Sequence, residues 1–84
     1  MALAHSEIQA ELQRILASPS FQRSERLSRF LQFVVEAGLA ARHEQIKEYV
    51  LGVEVYGKGA DFDPRLDSTV RVEAARLRSK LRDY

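Results

Sequence analysis

Apolar residues in this sequence recur at helical spacing in four separate segments, and only one short stretch alternates as a strand would. In the first segment Ile8, Leu12, Ile15 and Leu16 stand at i, i+4, i+7 and i+8. It closes at Ser18-Pro19-Ser20, because proline disfavours helical geometry in the residue before it. Ser6 is placed to cap this segment, with Gln9 three residues on as its capping-box partner, so a helix is expected over 6–17. Ser24 opens a second helix, 24–37, in which Leu27, Phe30, Leu31, Val34 and Val35 share a face. Gly38 suits the left-handed position just past its end. A third helix is expected over 44–55, carrying Ile46, Tyr49, Val50 and Val53 on its apolar side. Gly52 costs that helix about 1 kcal/mol relative to alanine. The alternation through 52–56 leaves two ends open to it, Leu51 or Tyr56. Gly57 to Pro64 is dense in breakers and reads as a loop pinned to the core by Phe62. Asp67 or Ser68 then caps a last helix, 68–84, whose Val70, Ala74, Leu77 and Leu81 form a narrow apolar seam.

Chain length and this order of elements predict one all-α domain over 1–84, a small helical bundle. The 45 % hydrophobic fraction suffices for a single core. The 6–17 segment is accessory, 24–37 the scaffold, 44–55 the positioning helix and 68–84 the helix that faces outward.

The sequence contains no cysteine, which removes disulfides, thiolate zinc sites and cysteine nucleophiles together. His5 and His43 have no ligand partner at metal spacing, so no metal is expected. Asp61, Asp63 and Asp67 superficially resemble a calcium loop, but Pro64 intrudes, the sixth position is not glycine and the twelfth is Val72. Gly57 and Gly59 lack the lysine and spacing of a phosphate loop. Without a nucleophile, base and carboxylate set, no enzyme, cofactor or small-molecule substrate is expected. No stretch reaches the ~18 apolar residues of a membrane span. The opening MALAHSEIQAE lacks a basic region followed by an apolar one, so the expected location is the cytoplasm.

Charge becomes informative once it is divided by position. Residues 1–64 carry seven basic against nine acidic side chains, whereas residues 65–84 carry six basic (Arg65, Arg71, Arg76, Arg78, Lys80, Arg82) against three acidic. A short cationic segment on a near-neutral body suits an anionic polymer. On a helical wheel at 100° per residue, Ser68, Val72, Ala75, Arg76 and Ser79 lie opposite the Val70–Leu81 seam. Arg71, Arg78 and Arg82 run along one flank, and Lys80 lies on the other with Glu73. A face of small residues bordered by arginines fits the major groove of DNA, where flanking guanidiniums reach phosphates. Val72 is placed to touch a thymine methyl, and Arg76 to read a guanine edge. Single exposed valines and arginines are ordinary on any helix, so the weight rests on their combination.

The run Asp67-Ser68-Thr69-Val70-Arg71-Val72-Glu73-Ala74-Ala75-Arg76-Leu77-Arg78-Ser79-Lys80-Leu81 resembles the recognition helix of the winged helix-turn-helix output domains of response regulators, the OmpR/PhoB class. Their pattern D-x-T-V-x-V-x-x-x-R-L-R-x-K-L is met at Asp67, Thr69, Val70, Val72, Arg76, Leu77, Arg78, Lys80 and Leu81. Glu44-Gln45-Ile46 and Tyr56-Gly57 resemble that family's positioning helix and the W-G after it. With K-E-Y-x-x-G-V-x-V-Y-G at 47–57 and F-D-P-R-x-D-x-x-V-R-V at 62–72, the span 21–84 more closely resembles a bacterial domain found at the N-terminus of proteins with tetratricopeptide, propeller-like or cyclase-like regions. The resemblance implies a winged-helix-like fold with a helix-turn-helix core and a role in transcription regulation within signal transduction. It implies that Thr69, Val72, Arg76 and Arg78 face DNA. Arg71 stands where response regulators often carry an acidic residue, so their base preference does not transfer. The family continues into a β-hairpin wing, and this sequence stops at Tyr84 without one. A core face exposed by a missing wing would be covered by self-association or by the 6–17 helix.

The expected function is double-stranded DNA binding through Arg65, Ser68, Thr69, Arg71, Val72, Ala75, Arg76, Arg78, Ser79 and Arg82. A homodimer on two half-sites is the further partner to consider. The alternative is a helical protein-interaction or dimerisation module that keeps the fold without binding DNA. It predicts that the arginines pair with Glu73 or with carboxylates across an interface.

Overall fold

A computed structural model describes residues 4–84. Residues 1–3, part of the expected 1–84 domain, lie outside the described residues. The described chain is all-α: α1 (His5–Ala17), α2 (Pro19–Gln22), α3 (Glu25–Leu39), a 3₁₀ turn (His43–Ile46), α4 (Glu48–Glu54) and α5 (Thr69–Asp83). No strand occurs among the described residues.

Proline starts one helix here as well as ending another. Ser18 is extended (φ −66°, ψ 149°), as a residue before proline should be, and its hydroxyl donates to the Ile15 carbonyl at 2.7 Å. Pro19 then occupies the first turn of α2, where its missing N–H is no loss. The sequence reading has no helix at this place. The consequence is Phe21, which α2 drives into the centre at 0 % exposure. Around it pack Leu12 from α1, Leu27, Phe30 and Leu31 from α3, Leu51 from α4, Val55 and Phe62 from the following segment, and Val70 and Leu77 from α5. Helix α1 lies on α2 and α3 and contributes Leu12 to the core.

The start of α1 and the end of α3 differ from the sequence expectation. Helix α1 begins at His5, with Ala4 in the cap position and no side-chain bond, so Ser6 sits inside the first turn and does not cap. Ser24 does stand at the start of α3, again without a side-chain cap. Helix α3 runs through Gly38 to Leu39, and the left-handed residue is Ala41 at φ 58°. The Arg42 N–H reaches the Ala37 carbonyl at 2.8 Å and the Ala41 N–H reaches Gly38 at 3.1 Å, the paired bonds of a Schellman ending.

The expected 44–55 helix is two pieces, because Lys47 is extended (ψ 150°) between the 3₁₀ turn and α4. Leu51, Gly52 and Val55 are the buried residues there, while Tyr49 is 42 % exposed and Val50 and Val53 are half-buried. The helix is therefore rotated relative to the face read from sequence. Packing of Phe62 directly on Gly52 explains this: a Cβ at position 52 would lie inside van der Waals contact with the ring. The shortest dimension of the molecule is 19 Å, which allows two layers of helices. Each helix therefore keeps a side toward solvent.

Candidate nucleic-acid interface

Helix α5 divides as its seam required. Val70 (3 % exposed) and Leu77 (7 %) are buried, and Ala74 and Leu81 pack half-buried beside them. Ser68, Val72, Ala75, Arg76 and Ser79 are all exposed on the other side, with Val72 at 44 %. Arg71, Arg78 and Arg82 are exposed on the flank.

The N-terminus of α5 is organised by Asp67. Its Oδ1 accepts from the Thr69 hydroxyl at 2.6 Å and from the Thr69 N–H at 3.0 Å, while Oδ2 lies 2.9 Å from Lys58 Nζ. One of the orphan amides of the first turn is satisfied in this way. Asp67, not Ser68, supplies the capping oxygen. The Thr69 hydroxyl, the Lys58 ammonium and the Thr69 amide together hold the Asp67 carboxyl well below the usual carboxylate range. Thr69 is half-buried and committed to this bond.

The arginines divide into two groups. Arg65 meets Asp63 through two bonds of 3.1 Å, which lowers the pKa of Asp63. Arg71 Nη1 donates to Glu48 Oε2 at 3.0 Å and to the Pro64 carbonyl at 2.7 Å. Arg76 Nη1 lies 3.6 Å from Glu73 Oε2, close enough for ionic attraction but too far for a good hydrogen bond. Among the described residues Arg78 and Arg82 have no carboxylate within ion-pairing distance. These two are the cations left free along the flank. Lys80, on the opposite flank, turns inward. Its ammonium donates to the carbonyl (3.2 Å) and hydroxyl (3.1 Å) of Ser20 and sits 5.7 Å from the centre of the Phe21 ring.

Several residues at or behind this surface lie outside the sequence-derived set. Arg26 of α3 lines one open depression with Ser24, Glu25, Leu27, Glu73 and Arg76, so beside the outward face of α5 helix α3 adds a guanidinium and a carboxylate together. Tyr56 stands behind it, edge-on to Phe30 at 5.9 Å, its hydroxyl buried without a hydrogen-bond partner among the described residues. Burial, reinforced by the Glu73 charge and opposed by Arg26, pushes its phenol up to about 12. Glu48 and Lys58 are also new to the site. No periodicity rule finds them, because their partners are remote in sequence.

The buried side chains are all apolar, and no cluster of three potential metal ligands occurs among the described residues. No helix among them is long and apolar enough to cross a membrane. No protein-family model, curated protein or solved structure matches this chain.

Proposed function

We propose that the chain is a double-stranded DNA-binding module that lays α5 in the major groove, with α4 behind it and α3 as scaffold. The observation carrying this reading is the outward side of α5. Ser68, Val72, Ala75, Arg76 and Ser79 leave a low-relief face about 17 Å long, bordered by Arg78 and Arg82, which pair with no carboxylate among the described residues. Low relief permits entry to the groove, and the free guanidiniums supply attraction to phosphate. Arg76 is the residue for base-edge contact, its tie to Glu73 being long enough to exchange. By the resemblance noted above, the biological role is transcription regulation in the cytoplasm of a bacterium, without catalysis.

The test is fluorescence anisotropy of a labelled mixed-sequence duplex titrated with the chain at about 50 mM and about 200 mM salt. Binding that weakens steeply between the two supports the reading. Absence of binding at the lower salt refutes it.

A second reading is favoured by one specific observation, the engagement of Arg65, Arg71 and Arg76 by the chain's own carboxylates. In that reading Val72 and Ala75 contact protein, in a partner or in a second copy. Val72→Asp then moves a dimer toward monomer in sedimentation experiments and has no effect on nucleic acid.

A further inference from the structure

The two helices of a helix-turn-helix are usually joined by three or four residues, and that short turn sets the angle between them. Here the connection runs from Val55 to Ser68. A segment of that length sets no angle by itself. The geometry of α4 against α5 must come from tertiary ties.

Two ties fasten the segment to α4, and a third closes the segment on itself. Phe62 rests on Gly52 and stacks on Tyr49 with ring centres 6.1 Å apart. The Tyr49 hydroxyl donates to the Ala60 carbonyl at 3.2 Å. Lys58 meets Asp67 just before α5 begins. Arg71 is the fourth tie and differs in kind. It stands in the first turn of α5, and a single nitrogen reaches both Glu48 in the first turn of α4 and the Pro64 carbonyl in the connection. Three segments meet at that nitrogen.

We propose that Arg71 is a positioning residue, not a phosphate contact: it braces α4 and the connecting segment against α5 and so sets how the outward face of α5 is presented. This rests on the DNA-binding reading above. A phosphate contact through Nη1 would have to break two hydrogen bonds of 3.0 Å or less, and one through the remaining N–H groups would have to be made with the guanidinium held where Glu48 and Pro64 fix it. The first would also leave Glu48 as an unneutralised charge facing the DNA. Arg78 and Arg82 face neither obstacle.

The two roles make opposite predictions for Glu48. As a brace, Arg71→Ala and Glu48→Gln each weaken duplex binding about two- to fivefold, the range a partly exposed ion pair supports. The double variant is then no weaker than the worse single one, and the slope of log K against log salt stays that of the unaltered chain. As a phosphate contact, Arg71→Ala lowers that slope by about 0.9, and Glu48→Gln binds more tightly because it releases the guanidinium. That second pattern overturns the proposal. Hydrogen exchange on the full chain without DNA provides the independent arm. Faster exchange at the amides of residues 57–67 in both variants is expected, and unchanged exchange overturns the brace. Should the unaltered chain fail to bind any duplex, the DNA reading falls, while the exchange measurement still decides whether Arg71 holds the connection.

Discussion

Moving a glycine three positions along the chain should stabilise it. Gly38 lies within α3, and a Cβ built there meets no atom within 4 Å. Alanine at 38 therefore gains helix propensity without a clash, about 1 kcal/mol. Ala41 holds φ 58°, a left-handed conformation in which a Cβ costs roughly 1–2 kcal/mol. Glycine at 41 removes that penalty but increases the freedom of the unfolded chain, so the net gain is again about 1 kcal/mol. In a domain of this size each kilocalorie shifts the midpoint by roughly 4–8 °C. The singles Gly38→Ala and Ala41→Gly should each raise the Tm by that amount. The pair should raise it further, with coupling expected between neighbours sharing one cap. Thermal unfolding followed by far-ultraviolet circular dichroism is sufficient. A fall in Tm for Gly38→Ala would falsify the argument, because it would mean that the helix ends at Gly38, where the sequence pattern puts its end.

Gly52→Ala should act in the opposite direction and destabilise by about 1–3 kcal/mol despite better helix propensity, because the new Cβ meets the buried Phe62 ring. Urea denaturation measures this, and a gain in stability would show that Phe62 packs elsewhere. Phe21→Ala should cost about 3–5 kcal/mol, a large share of the stability of a small domain, and a loss below 1 kcal/mol would remove α2 from the core. Asp67 titrates below its ordinary value near 3.8 in the folded chain, so the stability it contributes is present above that value and lost as the pH falls below it. Denaturation midpoints of the unaltered chain and Asp67→Asn should therefore differ at pH 6 and converge as the solution is acidified; parallel curves would contradict the Asp67 network. In duplex titrations Arg78→Ala and Arg82→Ala should each lower the salt slope by about 1 and weaken all sequences evenly. Arg76→Ala should cost about 1–3 kcal/mol and relax sequence preference, and equal effects from all three arginines would argue against a base contact.

Much of the fold was legible because helices obey local rules. The seam of Val70, Ala74, Leu77 and Leu81 required one face of α5 to be buried, and the exposure of Val72, Ala75, Arg76 and Ser79 follows from the same 3.6-residue period. The Leu27–Val35 face of α3, the breaker-rich loop and its pin at Phe62 were readable in the same way. Phe21 was not, because a four-residue helix is too short to show a period. The rotation of α4 was equally hidden, since it follows from a glycine accepting an aromatic ring from the next segment. The Ser6 and Gly38 assignments failed for a different reason. Each residue suits its expected terminus, but the hydrogen bonds place the helix ends elsewhere.

The same division separates the two parts of the candidate interface. By itself the sequence determined that the chain is helical, that its positive charge gathers in residues 65–84, and that one face of the last helix carries only small side chains and arginine. Tertiary structure alone decided which of those charges are free. Arg71 is drawn to a carboxylate 23 residues away and Lys80 to a serine 60 residues away, whereas Arg78 and Arg82 meet no such partner among the described residues. Helical periodicity acts over about four residues and can be read along the chain. Neutralisation of a charge depends on which distant segment the core brings beside it, and only the folded chain determines that.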